Sequence, residues 1–234
     1  MSLKKIGFAL VVFSSSLAVN LNAAPQMPSS FDVRNVISIN PIKNQGQEPV
    51  VAYATVDAME IALAFQKNEK TQLSEAFLFT CDTTDFPAPG FGGADMPTTF
   101  LTQTGFAAQS QFLTGSPAAK CATTPIFAKA VATGDAGTTT DEIKQNILKY
   151  GSVIATVDAS QGDFTSYSGG VFNSCSTGTI DANHVITLIG WNDAGQYWIA
   201  RNTWGTSWGD SGYIQIKYGC NGVGQETFFI DSGN

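Results

Sequence analysis

The chain has 234 residues, of which 43% are apolar and 13% are charged, and its formal net charge is −7. This length and apolar content suffice for one or two domains with a buried core, and they exclude a fibrous or disordered chain. The acidic excess argues against nucleic acid as a partner, because phosphate backbones bind basic surfaces. The single histidine excludes zinc sites built on two or three imidazoles, and we expect no metal and no other cofactor.

Residues 1–23 have the features of a secretory signal peptide. Lys4 and Lys5 precede a mostly apolar stretch over residues 6–19, and small residues end at Ala23 before the expected cleavage site. A transmembrane anchor fits less well, because serines interrupt the stretch and it is shorter than the ~20 apolar residues of a membrane span. We therefore expect a secreted or periplasmic protein with no membrane span after signal removal and no propeptide, whose mature domain is residues 24–234.

The first half of the mature chain has helical periodicity. Apolar residues recur at helical spacing from Pro49 to Lys67, which predicts one long, largely buried helix with Pro49 at its first position. Thr139 and Glu142 have the spacing of a capping box, and Gly151 is a typical helix end. The shorter predicted helices are Ser74–Thr80, Met96–Thr104 and Asp141–Tyr150.

The second half is rich in Val, Ile and aromatic residues in short runs separated by Gly and Asp, a pattern typical of strands. The two patterns together predict an α+β protein with a helical lobe over about residues 40–125 and a mainly β lobe over about 126–234. A crevice between two lobes is a natural place for a site. The predicted strands are Ser152–Val157, His184–Trp191, Tyr197–Arg201, Tyr213–Lys217 and Thr227–Ile230.

Motifs of characteristic spacing occur in three parts of the mature chain. Residues 28–34 and 41–47 read PSSFDVR and PIKNQGQ, residues 183–191 read NHVITLIGW, and residues 197–213 read YWIARNTWGTSWGDSGY. Together they resemble the papain-like cysteine peptidases from about Pro28 to Ile230. The run from Asn202 to Tyr213 is the most specific part. The resemblance implies a papain-like fold, with a long central helix in the helical lobe, an antiparallel β-barrel-like second lobe, and the active-site cleft between them.

The resemblance also implies roles for four side chains. In that family a histidine exchanges a proton with a nucleophilic cysteine, an asparagine orients the histidine, and a glutamine helps to stabilise the oxyanion. His184 matches the histidine, Asn202 the asparagine and Gln45 the glutamine, while Trp204 matches the indole that shields the pair. In a protein outside this family, a histidine on such a strand would more often be a buried, hydrogen-bonded residue than a catalyst.

The nucleophile has no match. Where the family has its cysteine-containing run, this chain reads EPVVAY over residues 48–53, and Val50 falls on the nucleophile position. Positions 44–80 contain no cysteine, so moving the alignment gap does not supply one. Tyr53 and Thr55 are the nearest hydroxyl groups, but their places on the helix predict that they point into packing rather than into the cleft.

The resemblance implies two disulfides, Cys81 with Cys121 and Cys175 with Cys220. A further bridge of the family is absent at both ends, which indicates a rebuilt loop before the long helix rather than a single lesion. Gly92 and Gly93 match glycines that face the substrate in the family, although a flexible loop explains them equally well.

Three hypotheses about function follow. The first is an exported, catalytically inactive homologue, a monomer that binds a peptide or protein segment in the cleft. The second is an active peptidase that uses a non-standard nucleophile, or a water activated by His184 with help from Glu48. The third is a structural or surface-interaction protein whose cleft is vestigial.

Overall fold

A computed structural model describes residues 27–86, 96–160, 163–176 and 178–233 of the chain. The predicted signal peptide, Gly92 and Gly93 lie outside the described residues. Two structural halves follow each other along the chain, as the periodicity predicts: helices dominate up to residue 103, and strands dominate after residue 150.

The long helix α1 spans Val50–Lys67, and its residues 50–64 are all buried. Apolar side chains surround it almost completely, which is the pattern of a helix enclosed by a core rather than lying on a surface. Pro49 is the N-cap and not the first helical residue, a correction of one position, and no side chain caps this end. Pro49 therefore offers no side-chain acceptor to the N-terminal amides of α1.

Three shorter helices follow, each within two residues of the predicted bounds: α2 is Glu75–Cys81, α3 is Thr98–Gln103 and α4 is Thr140–Tyr150. The capping box of α4 is confirmed, because Thr139 and Glu142 each bond the other's backbone amide. Gly151 ends α4 with φ of 90°, a left-handed conformation that glycine adopts without strain. Three short 3₁₀ helices occur at Val33–Asn35, Ala118–Thr123 and Cys220–Gly222.

The five predicted strands are all present, with bounds that differ by at most one residue at either end. Five further strands of two to four residues were not predicted, because they are too short to show an alternating pattern. In chain order the strands are β1 Ser30–Asp32, β2 Phe106–Ala107, β3 Ile126–Ala128, β4 Ala132–Asp135, β5 Val153–Val157, β6 Val171–Phe172, β7 His184–Asn192, β8 Tyr197–Arg201, β9 Tyr213–Lys217 and β10 Thr227–Asp231.

Eight of these strands form one sheet in the order β4-β10-β5-β7-β8-β9-β6, with β1 paired to β7. All pairs are antiparallel except β6 with β9. Among the described strands, the path ends at β4 and β6 and does not close. The lobe predicted as barrel-like is therefore an open, mainly antiparallel sheet. β2 and β3 form a separate pair.

The two largest cores both take residues from strands β5 and β7. One core lies within the large sheet and against α4, and it includes Trp191 and Trp198. The other surrounds α1 and also contains Ile154, Val185 and Ile230 from β5, β7 and β10. The central helix thus packs against the sheet, which brings the helical half against the strand that begins with His184.

A network of buried charges fixes the same contact. Arg201 on β8 has its Nε 2.9 Å from the Oδ2 of Asp57 on α1, and both side chains are at most 1% exposed. Its two terminal nitrogens donate to the carbonyl oxygens of Asn40 and Pro41, at 2.8 and 2.5 Å. The guanidinium group therefore links the sheet, the central helix and the segment that leads to Gln45.

Lys43 extends this network into the helical half. Its Nζ lies 2.8 Å from Glu60 Oε1 and also pairs with Glu75 on α2. Glu60 further accepts from the Leu73 amide at 2.7 Å and from the Asn40 side chain at 2.7 Å. Buried charges are tolerated when they are paired and hydrogen-bonded in this way.

Both predicted disulfides are present. Cys81 is bonded to Cys121, and Cys175 is bonded to Cys220. Because disulfides persist where the surroundings are oxidising, the two bridges indicate an extracellular or secretory compartment. Within the described ranges, no helix combines the length and the apolar character that crossing a membrane requires.

Candidate active site

His184 and Asn202 form a buried hydrogen-bonded pair. The His184 Nε2 lies 2.8 Å from the Asn202 Oδ1, which also accepts the Thr203 amide at 2.7 Å. Because an amide N–H can only donate, this oxygen is an acceptor, and the imidazole must donate to it through Nε2–H. A neutral His184 therefore keeps its lone pair on Nδ1.

The hydrogen bonds continue from Asn202 to Gln45. The Thr203 hydroxyl donates to the Gln45 side-chain Oε1 at 2.5 Å, and the Gln45 backbone N–H donates to the Thr203 backbone carbonyl at 2.8 Å. His184, Asn202 and Gln45, predicted from three separate segments, are thus joined in one chain through Thr203. Thr203 fixes the side-chain oxygen of Gln45 and so sets which way its NH₂ group points.

The loop after Gln45 closes a tight turn just before α1. The Glu48 amide donates to the Gln45 carbonyl at 2.9 Å, and Gly46 takes φ of 57°, where glycine is favoured. The Gln45 Nε2 lies 3.4 Å from the Glu48 carbonyl, at the long limit of a hydrogen bond. The amide that the resemblance assigns to the oxyanion is therefore only weakly engaged by the chain itself.

Aromatic rings enclose the histidine. The Trp204 and His184 rings are 4.5 Å apart between centroids, and Phe164 lies 6.3 Å from the imidazole in an edge-on arrangement. Phe164 also contacts Trp204 and Trp208, and its carbonyl accepts from the Trp208 indole at 3.2 Å. Trp204 therefore lies against the imidazole, and the shielding role that the resemblance implies for it stays a prediction.

This enclosure controls the charge of the imidazole. Burial lowers the pKa of His184 from 6.5 to about 4, and the hydrogen bond to Asn202 opposes the shift only in part. Burial disfavours the charged form, and no carboxylate contributes to the shift. His184 is consequently a neutral hydrogen-bonding group at neutral pH rather than half of an ion pair.

The lowered pKa of His184 predicts a specific pH dependence. In the unfolded chain the His184 imidazole becomes protonated below pH 6.5, whereas in the folded protein it stays neutral down to about pH 4. The free energy of unfolding therefore falls as the pH drops through this window. The loss is roughly 3 kcal/mol. Since His184 is the only histidine, its NMR titration in untagged protein should have a midpoint near pH 4. A midpoint at or above 6.5 would contradict the prediction.

A second measurement separates this effect from other titrations. Burial raises the pKa of Asp57 to about 6, so its contribution to stability changes with pH in the opposite direction over much of the same window. Denaturant unfolding of wild type and His184→Gln between pH 4 and 7 isolates the histidine, because the Asp57 contribution is common to both. We expect the stability difference between the two proteins to vary with pH by roughly the full 3 kcal/mol.

Val50 is the first residue of α1 and is 6% exposed. It packs in the core around α1, in the same apolar cluster as Val185, which directly follows His184. The position that the resemblance assigns to the nucleophile therefore holds an apolar side chain at the N-terminus of the central helix.

The two hydroxyl groups closest in sequence are both engaged elsewhere. The Tyr53 hydroxyl donates to the Glu48 Oε2 at 2.5 Å, and burial together with this carboxylate raises the pKa of the phenol. Thr55 is fully buried, and its hydroxyl contacts the Met96 sulfur at 3.6 Å. Both side chains point into packing, as their helical positions predict.

The sequence did not reveal every contributor. Thr203 lies inside the most specific motif, but nothing in the sequence indicated that it joins Gln45 to Asn202. Phe164 carried no signal, because it stands in an irregular segment. The network of buried charges around Arg201 and Lys43 could have been suspected from one feature of the sequence, the acidic residues Asp57 and Glu60 in a largely apolar helix.

Comparison with known proteins shows the family to which the chain belongs. The sequence profile of the papain family cysteine proteases matches residues 27–230. A senescence-specific cysteine protease of Arabidopsis thaliana is 33% identical over 82% of this chain and 57% of its own length. Mouse cathepsin O is 30% identical over 85% of this chain and 65% of its own length. The chain thus spans between half and two thirds of these relatives.

The fold is also shared with solved structures. A cysteine protease of Carica candamarcensis superposes with a TM-score of 0.74 at 22% identity, covering 88% of this chain and all of that one. The bromelain protease of Ananas comosus gives 0.73 at 23% identity, with the same coverage. This chain belongs to the papain family of cysteine proteases and has the papain-like α+β fold.

Proposed function

We propose that this chain is an exported, catalytically inactive member of the family that binds a peptide or protein segment in the cleft between its lobes. The observation that carries the proposal is Val50 at the start of α1, in a chain whose four cysteines are all in disulfides. An isopropyl group has neither a lone pair to donate nor a proton to lose, so it cannot attack a carbonyl carbon.

The size of the missing contribution supports inactivity. Removing the nucleophile from a catalytic triad costs on the order of a million-fold in rate in subtilisin, the case worked out most fully, because the triad acts as a unit. The remaining groups provide a rate enhancement of roughly 10³ to 10⁴ over the reaction in water, which is negligible for the hydrolysis of a peptide bond. A neutral His184 and a weakly engaged Gln45 amide can still accept and donate hydrogen bonds to a bound backbone.

A peptidase that uses another nucleophile is the alternative, and the contacts disfavour it. Tyr53 holds its proton in a bond to Glu48, and Thr55 is fully buried beside Met96. The Glu48 carboxylate, the group that would have to assist a water molecule, already accepts the hydrogen bond of the Tyr53 hydroxyl.

Export and monomeric action complete the proposal. The basic and apolar pattern of residues 1–23 supports export to the extracellular space or the periplasm, and the two disulfides are compatible with either. The acidic net charge supports a protein partner rather than nucleic acid.

The catalytic part of the proposal is tested by turnover. Purified protein with both disulfides intact is incubated with a broad set of fluorogenic peptides between pH 4 and 8, beside its His184→Ala variant. We expect no measurable hydrolysis by either protein. Turnover by the wild type that His184→Ala abolishes would establish the active-peptidase alternative instead.

The binding part needs a separate experiment. Peptides that bind the protein are selected from a displayed library, and their dissociation constants are measured by fluorescence polarisation. Trp204→Ala and Gln45→Ala should each weaken binding about tenfold or more, a loss of about 1.4 kcal/mol. Leu113→Ala, at a residue that is 59% exposed and has no part in the site, is the control and should bind like wild type. Failure to select any binder, or equal affinity in all variants, would favour the vestigial cleft.

A further inference from the structure

A polar cavity lies beside the end of α2, apart from the site described above. Its volume is about 240 Å³, and it lies half open to solvent between the turn that follows Cys81 and the helix α3. Oxygen-bearing side chains dominate its wall, and none of the described residues that line it is basic. Those that bear on the argument are Asp82, Thr84, Asp85, Thr98, Thr99 and Gln103.

Asp82 is the unusual member of this wall. It is 3% exposed, and its Oδ1 accepts the amides of Thr84 and Asp85 at 3.1 and 3.2 Å. Its Oδ2 is buried and has no hydrogen-bond partner in the described structure. A buried carboxylate oxygen without a donor is costly, and such an atom calls for a specific explanation, for example a bound ion.

The chemistry of the wall selects among possible occupants. Carboxylate, hydroxyl and amide oxygens are ligands for hard cations, and the Asp82 and Asp85 side chains supply the negative charge. The Oδ2 of Asp82 has almost no surface that a water molecule can reach. A calcium ion binds a carboxylate oxygen directly at 2.3–2.6 Å and takes six to eight oxygen ligands, which the side chains and water of a cavity of about 240 Å³ can supply.

We propose that this cavity binds a calcium ion through Asp82 and Asp85, with threonine hydroxyls and water completing the coordination, in contrast to the expectation from the sequence that the protein has no metal. Magnesium fits less well, because it requires nearly ideal octahedral geometry and keeps most of its water. The ion would tie the end of α2 to α3. The proposal is independent of the proposed function, since it uses no residue of that site.

The expected affinity is modest. No group of three acidic, histidine or cysteine side chains suited to a metal occurs among the described residues, so the site depends on two carboxylates. Calcium sites with few charges in extracellular modules have dissociation constants of roughly 10⁻⁴ to 10⁻³ M. Such a site would be occupied in compartments rich in calcium and empty elsewhere.

Thermal unfolding of the disulfide-intact protein tests the proposal. Melting temperatures are measured in EDTA, in 10 mM calcium chloride, in 10 mM magnesium chloride, and in sodium chloride of equal ionic strength. At 10 mM, an ion of this affinity is present at about 10 to 100 times its dissociation constant, and if it binds only the folded state it should raise the melting temperature by roughly 3–10 °C. We expect this rise with calcium and a smaller one with magnesium.

Two variants locate the effect. Asp82→Asn keeps an oxygen that can accept the amides of Thr84 and Asp85 but removes the charge, and it should lose the calcium response. Asp163→Asn, an exposed change outside the cavity, is the matched control and should keep it. If Asp82→Asn does not fold, Asp85→Asn is used in its place. We expect this variant to need at least a tenfold higher calcium concentration for the same rise in melting temperature. No calcium shift in wild type, or an equal shift in the cavity variants, would overturn the proposal.

Discussion

Replacing Arg201 by methionine should destabilise the protein by about 3–5 kcal/mol, the cost of leaving a buried charge without its partner. Asp57 is fully buried, and its carboxylate faces Arg201 at 2.9 Å. Neither of its oxygens accepts a well-aligned hydrogen bond, so the ion pair is its principal compensation. The variant also loses the two donors that bind the carbonyls of Asn40 and Pro41.

Denaturant and thermal unfolding measure this effect. For a chain of this size, each kcal/mol lowers the melting temperature by about 2–4 °C. The matched control is Arg34→Met, because Arg34 pairs with Asp32 at a half-exposed position, where an ion pair contributes about 0–1 kcal/mol. The double variant Arg201→Met with Asp57→Leu should recover part of the loss, since no lone charge remains. Equal stability of Arg201→Met and wild type would refute the structural role assigned to this network.

The second large effect is a gain of activity in Val50→Cys. The new thiol would stand at the start of α1, where the helix dipole stabilises a thiolate, in the core cluster that also holds Val185, the residue after the Asn202-bonded His184. We expect hydrolysis of a fluorogenic peptide at a rate at least ~10³-fold above that of wild type, as part of the roughly million-fold contribution of a nucleophile. Val50→Cys with His184→Gln should lose this gain.

The thiol itself provides an independent readout. Because every native cysteine is in a disulfide, a thiol reagent labels only the introduced residue. Alkylation at pH 5 should be fast in Val50→Cys and slow in the double variant, since only a thiolate reacts and His184 can accept its proton. A thiol that reacts slowly in both, with no peptide hydrolysis, would mean that the loop before α1 has lost the catalytic geometry.

Much of the fold could be predicted because its signals are local. The bounds of α1 and α4 follow from helical periodicity and from the Thr139 and Glu142 capping box, and these depend on neighbouring residues alone. The short strands β1, β2 and β6 could not be predicted in this way. Each has two or three residues, and it exists only because a longer strand elsewhere supplies its hydrogen bonds.

The candidate site likewise has a part that local motifs predicted and a part that only the folded chain shows. His184, Asn202, Gln45 and Trp204 were identified by motif, and the structure brings them together. Their catalytic or binding roles stay predictions. The hydrogen bonds of Thr203 join residues 158 positions apart and have no sequence pattern of their own. Gly92 and Gly93 lie outside the described residues, so their proposed place in the cleft stays a prediction as well.

The sequence by itself determined the family and the absence of a cysteine at the nucleophile position, because both depend only on which residues stand where. The tertiary structure alone decided the charge of the lone histidine and the partners of the buried acids. A pKa depends on how completely distant segments remove water from a group and which charges they place beside it. For His184 that enclosure comes from Phe164, Trp204 and Asn202, which only the folded chain brings to the same place.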